Sequence, residues 1–464
     1  MKPSTDPKIF FAELTDCIDA RDLHQEVPPA HLHDWSDEAA GQPLGLVTPR
    51  STIQVSAVMA VCARHGIPVV PQGGLSGLAG GAVPCDGCLL LSLARMNAIE
   101  ELDSAVGTMR VQTGAVLQTI QEQAESEGWM FALDLGARGS CQIGGNIATN
   151  AGGNRVIRYG VMRDLVLGLE VVLADGQVLD LMQSMKKNNT GLDLRQLFIG
   201  SEGTLGIITR AVLKLSPGVR GANTALITFT NYDQALQFLK QAQTAFSGHV
   251  SAFELMWPDY YQFALKTLCQ TDQFDREYGY YLLFDVQSSH PEQDYPQFEQ
   301  LMADAFENGT VDNAVLATSE REIEELWQLR DCVSEILSIN APTINFDVSV
   351  GLNQIGIFAD QLRATLDERF PDLNKLFFGH VGDGNLHLVA GPVQGGKAIE
   401  HAIETEVYRT TRDFSGSISA EHGIGLHKKK WLGYSRSEAE LALMKLIKQA
   451  VDPQGLLNPG KVLD

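Results

Sequence analysis

Two short stretches toward the C-terminus hold the residue types that bind cations and move protons. One reads FFGHVGDGNLHL from Phe377 to Leu388, with His380 and His387 on either side of Gly382, Asp383, Gly384 and Asn385. Those four residues form turns readily and lie between apolar runs, so the stretch is predicted to be a β-hairpin. With them as the loop, Val381 faces Leu386 and His380 faces His387. Directly opposed residues project to one face with Cβ atoms about 5 Å apart. Two imidazoles so placed can share one metal ion. A third ligand can come from the second stretch, SAEHGIG, where Glu421 and His422 stand between small residues. Two histidines and a carboxylate leave coordination positions open, as a catalytic site requires. Paired surface histidines without a metal are the other reading that the spacing allows.

Three glycine-rich stretches offer a different chemistry. Pro71-Gln72-Gly73-Gly74-Leu75-Ser76-Gly77 opens an eleven-residue run with five glycines, after the apolar Ile67–Val70. Such a run lets the backbone approach a ligand and point successive N–H groups at it, a nest that holds phosphate without a lysine. No Gly-Lys-Ser/Thr follows, so it is not a Walker loop, and it lacks the Gly-x-Gly-x-x-Gly of a Rossmann turn. The second stretch, Asp134 to Asn154, is rich in small residues and Asn. Small side chains let backbone pack against a flat, bulky ligand while amides and hydroxyls meet its polar edge. A third small-residue loop runs from Gly200 to Gly206.

The elements that must position these stretches are legible in outline. A lead-in, residues 1–44, carries an amphipathic helix near Lys8 to Ile18. Ser51-x-x-Gln54 resembles a capping box and starts a helix that Gly66 ends. Residues 67–70, 89–93, 108–113 and 207–215 read as strands, and 116–127 as a helix closed by Gly128. Residues 169–173 and 178–181 form a hairpin about Asp175-Gly176. The run from Ser216 to Gly221 marks a boundary, giving a first domain over 45–219 and a second over 220–450. In the second, strands and helices alternate, including a long helix from Glu320 to Leu337, as in an α+β domain on an antiparallel sheet. Residues 451–464 form a tail that folds back on the first domain.

Composition narrows the classes. With 464 residues the chain can fill two or three cores, and a net charge of -22 argues against a nucleic-acid partner. No run reaches the roughly 18 apolar residues of a membrane span, and the charged N-terminus is not a signal peptide. The seven cysteines are odd in number and scattered, which suggests reduced thiols and a cytoplasmic setting. Cys85-x-x-Cys88 lacks the second pair of a zinc ribbon and reads as structural. The remaining histidines are scattered, and His427 to Lys430 is a charge run of a solvated helix end.

Taken together, PQGGLSGLAGG, GSCQIGGNIATNAGG, RYGVMRDLVLGLEVVLADG, NNTGLDLRQLFIGSEGTLGIIT, GHVGDGNLH, SAEHGIG and GLLNPGK resemble the FAD-linked oxidase family, of the vanillyl-alcohol-oxidase-like flavin fold. The likeness runs from about residue 45 to the C-terminus. It points to the branch of D-2-hydroxyacid dehydrogenases, among them hydroxyglutarate and lactate dehydrogenases and glycolate oxidase flavin subunits. It implies an α+β chain with a two-part FAD-binding domain and an antiparallel-sheet cap domain for substrate. FAD is then expected on Pro71, Gln72, Gly73, Gly74, Leu75, Ser76 and Gly77 through its pyrophosphate. Gly136, Ser140, Gly144, Gly145, Asn150, Gly152 and Gly153 are expected about its ribityl chain and ring, Gly203 and Ile207 on the adenine side, and Asn458 from the tail. Leu75 stands where relatives with covalent flavin often have His, so the FAD is expected to be non-covalent.

The same resemblance matches His380, His387 and Glu421 to metal ligands and His422 to the base. Zinc is the first expectation, with manganese or cobalt also suited to the set. Arg330 matches a substrate arginine, whose planar fork suits a carboxylate. Ser334, one helical turn on, is expected on the same face, and Asn385 beside the substrate. The implied reaction is oxidation of a D-2-hydroxy acid to the 2-oxo acid with hydride transfer to flavin N5. Electrons would pass on to an electron-transfer flavoprotein, a quinone or a cytochrome, and a homodimer is compatible with the chain. One departure matters. Relatives carry Lys where Asn345 stands before Phe346-Asp347-Val348-Ser349-Val350, so D-lactate- or D-mandelate-like acids stand beside D-2-hydroxyglutarate as substrates. An oxygen-using oxidase and the flavin subunit of a multi-subunit glycolate oxidase complex are the alternatives.

Overall fold

The computed structural model describes residues 7–36 and 38–463; the first six residues of the lead-in and Asp464 of the tail lie outside them. The chain divides into two compact units. The first comprises residues up to Gly152, Gly160–Gly218 and Glu421 onward; the second comprises Gly153–Tyr159 and Val219–Ala420. The segment that returns to the first unit thus begins at Glu421, well before residue 451.

In the first unit, a four-stranded sheet has the order Leu23–His24, Gly45–Val47, Leu89–Ser92, Val69–Gln72. The last three strands are parallel. The helix Thr52–His65 starts where the Ser51 side chain accepts from the Gln54 N–H, and stops at Gly66 with φ 63°. It buries Val55, Val58, Met59, Val61 and Cys62 in a core shared with Phe10 and Leu14 of the helix Pro7–Thr15. The C-terminal segment joins this sheet: Val69 donates to Leu456 O, and Asn458 donates to Val69 O, each at 2.8 Å. A second, antiparallel sheet has the order Ile99–Asp103, Thr108–Gln112, Ile207–Lys214, Val166–Val172, Val178–Leu181. The last two strands are the hairpin about Asp175-Gly176. The strand Ile99–Asp103 was not expected; its half-exposed, charge-bearing sequence gives little alternation to read.

The second unit is one antiparallel sheet of seven strands. Their order is Asn313–Leu316, Gly221–Phe229, Tyr280–Ser288, Ala252–Met256, Asn374–His380, Asn385–Gly391, Ile344–Ser349. One face packs Leu226, Leu283, Met256 and Phe378 against the helices Pro258–Leu268 and Glu320–Asp331. On the other, Phe253 and Phe284 meet Phe238 and Phe298 from the helices Tyr232–Ala245 and Pro291–Glu307. The expected single helix from Glu320 to Leu337 is two, Glu320–Asp331 and Val333–Ile339, broken at Cys332. Among the described residues no helix is long and apolar enough to cross a membrane.

Candidate active site

The histidine hairpin forms in the second unit with a different register from the one expected. The strand Asn374–His380 ends at His380, Val381–Asp383 make a tight turn, Gly384 takes φ 95°, and the next strand starts at Asn385. The loop again has four residues but begins one position earlier, so Phe378, and not His380, lies opposite His387. The slip is by two along the ladder. Side chains alternate with period two, so both histidines keep the same face. Their ring centroids are 5.3 Å apart with planes at 84°. A ring nitrogen of each lies within 4.8 Å of the other, and an Asp347 oxygen lies within the same distance of a His387 ring nitrogen.

Neighbouring strands bring carboxylates to this face: Glu254 pairs with His380 and Asp347 with His387. Glu254 is buried; its Oε1 is 2.7 Å from His380 Nδ1 and its Oε2 accepts from Arg330 Nε at 2.7 Å. Burial pushes the Glu254 carboxyl upward, but His380 and Arg330 outweigh it and hold it down at about 2. A carboxylate at Nδ1 fixes the proton there and turns the Nε2 lone pair outward, the arrangement found behind metal-bound histidines. His380 and His387 are thus two nitrogen donors that could hold a metal ion. Arg330 Nη2 lies 3.4 Å from that Nε2, and the guanidinium stacks over Phe378 at 4.7 Å.

Arg330 thus sits beside His380, with its Nε engaged by Glu254 and its Nη2 facing His380 Nε2. Ser334 does not share its face: the helix ends at Asp331, Arg330 is buried and Ser334 is exposed. Asn385 is buried, and neither its amide nitrogen nor its oxygen has a partner among the described residues. An unpaired buried amide costs on the order of 1–3 kcal/mol, so this side chain is poised for a ligand. Asn345 is exposed. Residues that sequence reasoning did not single out lie on the same sheet: Glu254, Asp347, and Asp285 with its ion-pair partner Arg155, which also stacks on Trp327. A buried acid inside an apolar strand, as in Phe253-Glu254-Leu255, is the signal that was there to read.

In the first unit the strand Val69–Gln72 delivers the first glycine loop. Among the described residues, none of the N–H groups of Gly73, Gly74, Leu75, Ser76 and Gly77 donates a hydrogen bond. Leu75 takes φ 57°. At Gly74 an added Cβ would lie 2.1 Å from Ser140 O, so the first and second glycine stretches touch there. At Gly136 and Gly145 a Cβ would meet nothing within 4 Å, so both face open space. A row of unclaimed amides beside an open, glycine-lined wall fits the pyrophosphate and ring of FAD. The second stretch is not wholly a loop: Ile143–Ala148 is a short helix, and Gly144 is there because a Cβ would meet Thr113 Cβ at 2.8 Å.

Other expected cofactor residues have structural reasons of their own. The Gln72 amide is buried and bonded to His31 and Ala82 O. Ile207 packs in the core. Gly203, at φ 71°, lets its loop lie on Pro71, where a Cβ would come within 2.6 Å of Cγ. Asn150 caps through Oδ1 to the Arg163 N–H, and Gly153 belongs to the second unit. Asn458 Nδ2 donates to Gly81 O at 2.9 Å and Glu202 O at 2.8 Å, while its buried Oδ1 lacks a partner among the described residues.

Glu202 organises the return segment. Its carboxylate accepts from Ile424 N at 2.7 Å and Gly425 N at 2.8 Å, and burial pushes its pKa up against those two bonds. Leu426 and His427 donate to Ala79 O at the end of the first glycine loop. Glu421 and His422 stand just before this anchored run. They directly follow Ala420, whose N–H reaches Asp347 O at 3.3 Å within the second unit.

Both halves match known families. Residues 43–182 match a model described as an FAD binding domain, and residues 220–462 one described as the C-terminal domain of FAD linked oxidases. The chain belongs to the FAD-linked oxidases and is an FAD-dependent oxidoreductase with a vanillyl-alcohol-oxidase-type fold. It is 38% identical over 443 residues to the mitochondrial D-2-hydroxyglutarate dehydrogenase of Bos taurus, covering 95% of this chain and 80% of that one. It is also 38% identical over 474 residues to the D-2-hydroxyglutarate dehydrogenase of Xanthomonas citri pv. viticola, covering 99% and 98%. The structure of p-cresol methylhydroxylase with substrate bound shares the fold, with a TM-score of 0.78 at 15% identity over 98% of this chain and 97% of that one.

Proposed function

We propose that this chain is a dehydrogenase using non-covalent FAD and a divalent cation, zinc first, to oxidise a D-2-hydroxy acid to its 2-oxo acid. The observation that carries this reading is the imidazole pair His380 and His387 on one sheet face, with Glu254 fixing His380 from behind. The family and the names of the relatives support the substrate class. FAD, when bound, supplies the acceptor for the hydride that leaves C2. The cation supplies a Lewis acid that lowers the pKa of the C2 hydroxyl.

The chain's own residues do the rest. Gly73 to Gly77 hold the pyrophosphate with main-chain N–H groups. Leu75 has no nucleophilic atom, so no bond to the flavin forms there. His380, His387 and Glu421 are the proposed cation ligands, with Asp347 beside His387. The Asn385 amide and the Nη edge of Arg330 orient the substrate carboxylate. His422 takes the hydroxyl proton on a ring nitrogen as general base, on a loop that Glu202 holds by two amides. Asn345 brings no charge, so this position does not select for a second carboxylate, and D-lactate and D-mandelate belong to the substrate class with D-2-hydroxyglutarate.

The test is His422→Ala. Losing a positioned base costs about 10²–10⁴-fold in rate. The variant is expected to stay yellow and keep its metal while losing flavin reduction by substrate. Near-normal turnover would overturn the assignment.

A further inference from the structure

Cys85 and Cys88 lie outside the site described above, and their surroundings differ from those of inert core thiols. They close a β-turn in which the Cys88 N–H donates to Cys85 O at 3.4 Å and Gly87 takes φ 71°. A β-turn holds its first and fourth Cα atoms within about 7 Å, the upper end of the range that a disulfide spans. The turn is fixed from outside: Gly41 donates to Pro84 O, Gly87 to Gln42 O, and Gln42 to Asp86 Oδ1, each at 2.8 Å. Access is unequal. Cys88 is buried at the head of the strand Leu89–Ser92, against Leu46, Val70 and Leu90, whereas Cys85 is partly exposed.

A buried ammonium completes the arrangement. Lys461 is 2% exposed and donates to Val83 O at 2.7 Å, two residues before Cys85. Cationic neighbours and Cys-x-x-Cys spacing are the conditions that make a thiol reactive. The hydrogen bond from Cys88 holds the Cys85 thiol down at about 7; burial opposes this, and the Lys461 charge adds to it. The same bond, followed by burial, pushes Cys88 well above the ordinary thiol range. An accessible, acidified thiol beside a buried partner is the order needed for attack and then resolution.

We propose that Cys85 and Cys88 form a redox-active dithiol, reversibly oxidised to a disulfide by exchange with a low-molecular-weight disulfide. The Cys85 thiolate attacks one sulfur of R–S–S–R; the new bond is Cys85–S–S–R, and RS⁻ leaves and takes up a proton. The Cys88 thiol then gives up its proton and attacks the Cys85 sulfur, expelling the second RS⁻, which leaves as RSH. One R–S–S–R is reduced to two RSH while two protein thiols are oxidised to one disulfide.

The test uses reduced holoprotein treated with oxidised glutathione, then an alkylating quench and peptide mapping by mass spectrometry. The expected result is loss of alkylation at Cys85 and Cys88 together, with a peptide linked between them that dithiothreitol reopens. In Cys88→Ser the attack is not resolved, and Cys85 accumulates as the glutathione mixed disulfide. Cys269, the exposed cysteine, is the internal control for reagent access. The proposal is overturned if Cys269 is glutathionylated while Cys85 and Cys88 both remain alkylatable, or if Cys85 carries glutathione in the unsubstituted protein without passing to the linked form. The unsubstituted protein decides the matter even where a serine variant fails to fold.

Discussion

Replacing Glu254 by glutamine removes one negative charge from a buried triad and leaves the shape nearly unchanged. In the native arrangement the carboxylate receives Arg330 Nε and His380 Nδ1, both at 2.7 Å, with all three side chains buried. Breaking a buried ion pair leaves the other charge uncompensated and costs about 3–5 kcal/mol. A glutamine oxygen still accepts one of the two bonds, so the lower end, about 3 kcal/mol, is expected. For a unit of this size, each kcal/mol moves the melting temperature by about 2–4 °C, giving a drop of about 6–12 °C for the second unit. A separate effect falls on the cation. Without the carboxylate, the His380 proton is no longer held at Nδ1, and loss of such a partner lowers metal affinity by about 10–100-fold. Thermal denaturation and zinc titration with a competing chelator read the two effects independently. A melting temperature within about 2 °C of the parent, together with unchanged zinc affinity, would refute the view that Glu254 braces both Arg330 and His380.

Gly74→Ala places a Cβ where Ser140 O lies at 2.1 Å, and that neighbour is backbone. The two glycine stretches must separate, so the variant is expected to purify with substoichiometric flavin, measured by visible absorbance against protein; full flavin content would remove Gly74 from the cofactor wall. Asp22 is buried and bonded to Arg50 at 2.7 and 3.1 Å, with Arg95 at 3.2 Å. The Arg50 hydrogen bonds lower its pKa, burial opposes them, and the charges of Arg50 and Arg95 add to the lowering. A depressed folded pKa stabilises above the ordinary carboxylate value of about 3.9 and ceases to do so as pH falls through the folded value. The stability gap between the native chain and Asp22→Asn, taken from urea melts, should therefore be full at pH 7 and close progressively below about pH 4; a gap that widens on acidification would contradict the assignment.

Local signals in the sequence were reliable where a single residue decides the backbone. Ser51 and Gly66 bracket the helix Thr52–His65, and Asp175-Gly176 joins its two strands, because capping and turn chemistry depend on nearest neighbours. The histidine hairpin was readable as a hairpin, and its common face survived because the register moved by two. Features set by distant packing were not readable. The helix Ile143–Ala148 forms from poor helix formers because Gly144 fits against Thr113. The break at Cys332 separates Arg330 from Ser334 although the apolar pattern runs through it. Glu254 lies 126 residues before His380, and only the sheet order brings the two together. Glu202 likewise reaches Ile424 and Gly425 through a fold that no local pattern announces.

The proposed function requires a cation held by His380 and His387, which would lower the pKa of the C2 hydroxyl so that loss of its proton lets hydride pass from C2 to FAD. Anaerobic flavin bleaching measures this directly, with D- and L-lactate, D- and L-mandelate and D- and L-2-hydroxyglutarate compared before chelation, after it, and after zinc is returned. The expected record is bleaching by D-acids alone, abolished by the chelator with flavin still bound, and restored by the metal. Bleaching that survives complete removal of metal, or that proceeds equally with L-acids, would contradict it.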